Sequence, residues 1–371
     1  MDIIVNTLQN AGHVILYYVI PFIIVLGIMI FFHELGHFLI AKCFHVKVLK
    51  FALGFGPKII GKKYGETEYS IRYFPLGGFV KMLGEDDEDN DAEEISSEDW
   101  ERSFSNRHPL KRIAIVAAGP VFNVILAFFL YWGLFFLSGS YINSTKIGQV
   151  TPDSPASRAG LLKGDMIKAI QGRPIEDWFE IKEYVYDKAG IPIELTVERE
   201  NELFEVTVIP EESSQKMFGQ DVKVALIGIV SSGDFVKKDF GLFGSMREAA
   251  SETWEWIVRI GKFIVKLLTG ASSIKMVGGP IMIGQMTGEM AKVSLLSLIP
   301  FMAVISINLG ILNLFPIPIL DGGFIIFLFV ELLIGRPISL KKREFAQKVG
   351  LSLLILLMVV VFYYDILRLF K

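Results

Sequence analysis

Cysteine is nearly absent. The 371 residues hold one, Cys43, which excludes an intramolecular disulfide and a cysteine-built metal site. Histidine is scarce, with five copies. A net charge of −3 lacks the basic excess that nucleic acid demands, so no nucleic-acid partner is expected. Lys and Arg are missing ahead of Val14, and no small-residue cleavage site precedes His33. The first apolar run therefore reads as a retained span, not a removable signal peptide. What the chain has in abundance is apolar surface: 52% hydrophobic residues and a mean hydropathy of +0.47. Both values point to a membrane protein.

A membrane span needs about 20 apolar residues. Val14–Phe32, Ile113–Leu137 and Val293–Leu320 carry no charge, and Val349–Tyr364 reaches span length if Ile366–Phe370 joins it past Asp365. Gly323–Gly335 is too short to cross and holds Glu331, so it reads as a partly embedded helix. Short loops rich in Lys and Arg stay cytoplasmic. Arg336, Lys341, Lys342 and Arg343 lie between spans three and four, and Lys42, Lys47, Lys50, Lys58, Lys62 and Lys63 follow span one. Both segments are expected inside, with 138–292 outside.

The expected divisions are 1–42, span one; 43–112, a cytoplasmic β-region and acidic loop; 113–137, span two; 138–236, an outer domain; 237–292, an interfacial helix region; and 293–371, spans three and four. Within 43–112, Val46–Met82 reads as short strands with glycine turns, and Glu85–Glu94 as a solvated acidic loop. In the outer domain, Ile193, Leu195 and Val197 share one strand face, and Phe204, Val206 and Val208 another. The stretch SPASRAGLLKGDMIKAIQG, 154–172, resembles a PDZ domain; an unrelated β-rich spacer is the alternative. PDZ domains bind extended peptides by strand addition, so a peptide ligand is a possible partner. Along Ser245–Leu268, Glu248, Glu252, Glu255, Arg259, Lys262 and Lys266 form one polar stripe. That pattern reads as a helix lying on the bilayer or packed on the outer domain.

The chemistry sits in HELGH, residues 33–37. An ionisable group at mid-bilayer costs about 2.5–3.5 kcal/mol on insertion scales, so this motif requires a reason. On a helix, His33 and His37 face the same way and can share one zinc, with Glu34 as general base. A catalytic zinc takes three protein ligands and leaves one position open. The third candidate is Asp321 of NLFPIPILDG, 313–322, the only charge between Lys292 and Glu331. A helix cap or a proton relay are its alternative roles. Prolines and glycines around it break the helix, which a bilayer tolerates only where protein or water lines the irregular backbone.

HELGH together with N-x-x-P-x-P-x-L-D-G resembles the site-2 protease family of intramembrane zinc metalloproteases. GFGP (54–57), PLGGFVKM (75–82), FSNRHPLKR (104–112), AAGPVFN (117–123) and one PDZ-like insert look like its bacterial RseP-type members. The resemblance implies an α-helical integral membrane protein with four transmembrane helices, a membrane-inserted β-rich segment and a soluble PDZ-like α+β insert. It implies one catalytic zinc on His33, His37 and Asp321, with Glu34 as base and later proton donor. Asn313 would help hold the substrate strand, Pro316 and Pro318 would shape the pocket, and Gly54 and Gly56 belong to the β-region that offers substrate an edge. Partners would be the bilayer and single-span membrane proteins, of the anti-sigma factor or remnant signal peptide type, cut in regulated intramembrane proteolysis. The location implied is the bacterial inner membrane, with the PDZ-like domain outside and the active site toward the cytoplasm. Two departures stand out. Phe324 occupies a place where many relatives carry His, and there is room for one PDZ domain where some carry two. A non-enzymatic PDZ scaffold is the competing reading; it predicts that the zinc-site residues are dispensable.

Overall fold

The computed structural model describes residues 12, 14–85, 96–217 and 220–370; apart from Glu85, the acidic run lies outside them. The chain divides into two compact units, Met1–Leu134 with Met246–Phe370, and Phe135–Ser245.

In the first unit a π-helical turn, Ile15–Val19, leads into helix α1, Ile20–Cys43. The span expected to end at Phe32 thus continues for three more turns, because Leu35, Phe38, Leu39, Ile40 and Ala41 sustain the helix and no proline interrupts it. HELGH is inside the helix rather than at its end. Strands β1, Val48–Tyr64, and β2, Thr67–Met82, follow. The short strands expected here are two long ones, since the glycines bend the strands instead of ending them. Gly54 and Gly56 have φ of 89° and 85°, and the pairing shifts register between Leu53 and Phe55 and between Phe55 and Lys58. The hairpin consequently folds over itself: residues 50–53 pair with 78–81 and also with 68–71. Its inner end is buried on α1, whereas Phe55, Ile59, Ile60, Tyr64, Tyr73 and Phe74 are exposed.

Helix α2, Ser97–Glu101, is capped by the Ser96 hydroxyl. Helix α3, Pro109–Ser138, includes Pro120 in its interior. Gly36 of α1 lets the two helices close, since a Cβ there would lie 2.4 Å from the Ala118 carbonyl oxygen; small residues allow such approach in membrane helices.

The second unit starts with β3, Ser140–Asn143, and β4, Ile147–Val150, then α4, Pro155–Arg158, and β5, Met166–Ile170. Next come β6, Arg173–Pro174, α5, Trp178–Val185, β7, Ile193–Arg199, and β8, Glu202–Val208. The unit continues with β9, Glu211–Met217, β10, Gln220–Leu226, β11, Ile229–Ser231, and β12, Phe235–Lys238. A four-stranded sheet has the order β6-β5-β7-β8, and β3 and β4 pair with β12 and β11. Ile193, Leu195 and Val197 point inward as the alternation requires, onto Ile147, Ile167, Leu161, Trp178 and Ile181. A reciprocal Asp177–Glu180 capping box starts α5.

The chain then forms α6, Leu242–Leu268, and α7, Pro280–Val293. On α6 the buried positions are small, Ala249 and Thr253 among them, and Trp254 is exposed. Helix α8, Leu298–Asn313, stops seven residues short of the expected Leu320, because Pro316 and Pro318 cannot continue it. Helices α9, Asp321–Ile334, and α10, Leu340–Leu369, complete the unit. Among the described residues, Ile15–Cys43, Pro109–Ser138, Leu295–Asn313 and Leu340–Leu369 are long and apolar enough to cross a membrane. At 14 residues, α9 spans about 21 Å and falls short of a hydrocarbon core of about 30 Å. Exposed Leu353, Ile355, Leu356 and Val359 on α10 suit lipid contact.

Candidate active site

Helix α1 presents His33 and His37 one turn apart, with their Nε2 atoms separated by 3.3 Å. Asp321 arrives from the other end of the chain. Its Oδ2 lies 3.2 Å from His33 Nε2 and 3.7 Å from His37 Nε2. The NLFPIPIL loop folds back on the start of α9 to bring it there. Gly322 and Gly323 permit the fold: a Cβ on either would sit 2.2 Å from the Leu314 or Ile317 carbonyl oxygen. Asp321 is the first residue of α9, after Leu320 at the cap position, and no side chain caps this helix. The helix-cap alternative therefore does not describe what the carboxylate does. Among the described residues Oδ2 is buried without a hydrogen-bond donor and lies against the two imidazoles.

These three atoms fit a zinc ion. Metal–ligand bonds of about 2.0–2.1 Å at tetrahedral angles put the ligand atoms about 3.3–3.4 Å apart, close to the separations found. The His37 Nδ1 donates to the Ile115 carbonyl at 2.9 Å, which leaves Nε2 with its lone pair for metal. Room for the cluster depends on Gly119, where a Cβ would lie 2.3 Å from His37 Nε2 and 2.8 Å from His33 Cε1.

Glu34 turns toward the sheet. Its Cγ would lie 2.9 Å from a Cβ at Gly78. The remaining sequence candidates are more dispersed. Asn313 is the last residue of α8, half-buried, and Pro316 and Pro318 are in the loop just after it. Pro318 packs near Gly350 of α10, whose Cβ would meet its ring at 3.0 Å. Gly54 and Gly56 form the bend in β1, where Arg72 Nη1 donates to the Gly56 carbonyl at 2.8 Å. Phe324 faces an apolar cluster with Phe104 and Leu328, with the Arg343 guanidinium over its ring at 5.0 Å.

Three residues around the site lie in the AAGPVFN and FSNRHPLKR stretches, but the sequence assigns them no role. Gly119 makes the room just described. Asn123, fully buried, touches the His33 ring; it is the only amide in an otherwise apolar span, a signal that was there to be used. Arg112 forms a buried ion pair with Glu331 of α9, and nothing local in the sequence connects positions so far apart.

Four helices of membrane length, with two imidazoles of α1 and the carboxylate that starts the short α9 gathered around one point, have the architecture of a membrane-embedded metalloenzyme. The family model described as Peptidase family M50 matches residues 21–357. RasP of Bacillus subtilis, named regulator of sigma-W protease, is 32% identical over 95% of this chain and 99% of its own. A protein of Clostridium acetobutylicum named as a zinc metalloprotease is 36% identical over 93% and 96%, and one of Agrobacterium fabrum so named is 33% identical over 97% and 98%. Among solved structures, the PDZ domain of an SdrC-like protein of Listeria innocua matches 24% of this chain and 92% of its own, at 21% identity and a TM-score of 0.20. The chain belongs to Peptidase family M50, the site-2 proteases, and is an intramembrane zinc metalloprotease.

Proposed function

We propose that His33 and His37, through Nε2, and Asp321, through Oδ2, hold the catalytic zinc, and that the enzyme cuts single-span membrane proteins within the bilayer. The spacing of these three atoms, with Oδ2 otherwise unpartnered, carries the reading. When bound, zinc supplies a Lewis acid that polarises the peptide carbonyl. Glu34 takes a proton from the attacking water and returns it to the leaving amine.

A transmembrane substrate hides its carbonyls in helical hydrogen bonds and must become extended before it can be cut. Residues 78–82 of β2 have β1 as their strand partner on one side, and Gly78 lies against Glu34. In our reading the unwound substrate adds as a strand at this edge, where backbone bonds replace those it lost. Asn313 helps hold that strand, Pro316 and Pro318 shape the pocket, and Gly54 and Gly56 keep the sheet bent. The exposed apolar side chains of the hairpin support its insertion into the bilayer from the cytoplasmic side. The basic loops support an inner-membrane orientation with 135–245 outside. That unit acts as a PDZ-like filter against substrates with large outer domains, and a bound peptide ligand would act there. RasP's printed link to sigma-W supports an anti-sigma factor as substrate; remnant signal peptides are the other candidate.

Co-expression with a single-span model substrate, in cells lacking other intramembrane proteases, tests this. Wild type should release the cytosolic fragment and Glu34→Gln should not, although it binds zinc normally. Asp321→Ala and His33→Ala should purify without stoichiometric zinc. A Glu34→Gln enzyme that still cuts, or an Asp321→Ala enzyme that keeps its zinc, would overturn the assignment.

A further inference from the structure

The contact between Asn123 and His33 goes further than the ligand set, and rests on it. Asn123 lies one turn beyond Gly119 on α3, so both face α1. Its side chain is fully buried, and its backbone carbonyl accepts from the Ser306 hydroxyl of α8 at 2.8 Å. Gly310 of α8 keeps that contact close, since a Cβ there would lie 2.8 Å from the Pro120 carbonyl oxygen. The residue is thus wedged between α1 and α8, with its amide against the His33 ring: Nδ2 and Nδ1 are 3.1 Å apart. The amide oxygen, Oδ1, is buried with no hydrogen-bond partner.

Protonation decides which end of the amide belongs there. His33 turns Nε2 toward Asp321 and His37, so Nε2 must keep its lone pair free for a metal, and the ring proton must sit on Nδ1. An Nδ1–H cannot be opposed by an amide N–H. The two ends of an Asn amide have nearly the same shape, and their assignment follows the hydrogen-bond network. Rotating the amide by half a turn sets the orphaned Oδ1 against Nδ1–H and forms a good donor–acceptor pair. His37 has the equivalent arrangement, with the Ile115 carbonyl as its acceptor.

We propose that Asn123 is a positioning residue for the zinc site: with its Oδ1 turned to His33, it accepts the Nδ1 proton and so holds this ring as an Nε2 ligand. It touches neither substrate nor metal. The two histidines are then matched in tautomer by acceptors from one helix, α3, a backbone carbonyl for one and a side-chain amide for the other.

The test measures zinc affinity of the full-length, detergent-purified enzyme by competition with a chromophoric chelator, with no substrate present. Asn123→Leu fills the volume and removes the acceptor. Its zinc affinity should fall by about 10–100-fold, the usual effect of losing such a partner. Asn123→Asp keeps an oxygen acceptor and removes the N–H donor, and should bind zinc within a few-fold of wild type. Thermal melts of the metal-free proteins should coincide for wild type and Asn123→Leu; if Leu does not accumulate, Asn123→Ala replaces it with the same expectation for zinc. The proposal is overturned if Asn123→Leu binds zinc like wild type, or if Asn123→Asp is as weak as Asn123→Leu, since the latter would mean that the N–H end is the one that matters. His33→Ala runs alongside. Should it keep stoichiometric zinc, the ligand assignment itself fails and takes this inference with it; should it lose zinc while Asn123→Leu does not, only the role of Asn123 fails.

Discussion

One methyl group at position 119 would fill the space between the imidazoles of the proposed zinc site. Alanine there would introduce a Cβ 2.3 Å from His37 Nε2, inside the space that a metal needs. Alanine is also the better helix former, by about 1 kcal/mol. Gly119→Ala should therefore leave the helix intact and displace the imidazoles, and displacement on this scale costs about 100-fold in rate. The expected outcome is an enzyme that melts no lower than wild type without metal, yet purifies with little zinc and releases almost no fragment. Normal zinc content in this variant would show that the histidines can retreat. His33, Glu34 and His37 were legible in the sequence because one helical turn sets their geometry locally. Asp321 was legible as a lone charge among apolar residues. Gly119 stood in the AAGPVFN stretch, but its purpose was not legible, because that purpose is a distance across two helices.

Elements are positioned by a few contacts, and α9 shows this most directly. The helix begins with Asp321, and about three turns later Glu331 pairs with Arg112 at the start of α3. Side-chain exposures of 9% for Arg112 and 15% for Glu331 mark a largely desolvated pair. Removing one partner strands the other charge, at a cost of about 3–5 kcal/mol, whereas replacing both by apolar residues is often neutral. Arg112→Met and Glu331→Met should each lower the melting temperature and reduce zinc retention on warming, and the double replacement should recover most of both. A double variant as unstable as the worse single one would rule out this account. The sequence marked Glu331 as the reason α9 does not cross, but it held no sign of the partner 219 positions away. The strands outrun the short ones expected for a related reason. Glycines usually punctuate turns, but in β1 they are spent on bends, a distinction set by pairing with β2 and not by the local run.

On the scale of the molecule, the chain separates a membrane-embedded unit from a water-facing one, and each carries its own core. Ile147, Ile167, Leu195, Trp178 and Ile227 bury one another within 135–245, so this segment, expressed alone, should melt as one cooperative domain. Its alternating strands and Gly164-Asp165 turn were readable because the packing that they imply is internal to the unit. Asp165 supplies the pH test. Its side chain is 1% exposed. Burial alone would raise its pKa, but Arg199 Nε and Nη2 donate to its two oxygens at 2.7 Å each, Leu162 N–H donates at 2.8 Å, and the net shift is downward. A carboxylate with a depressed folded pKa contributes its full stability above its unfolded value of about 3.9, and that contribution disappears as pH falls through the folded pKa. The isolated unit should therefore hold a steady melting temperature from neutral pH down to about 5 and lose it progressively below about 4. Asp165→Asn should melt lower at neutral pH and show a shallower acid limb, because the group that titrates is gone. An unchanged acid limb in that variant would assign the acid sensitivity to other carboxylates. If the unit unfolds on its own while the metal cluster belongs to the other unit, then full-length Asp165→Asn at neutral pH should retain zinc like wild type even where its 135–245 unit has melted. Any size filtering by that unit would be lost first.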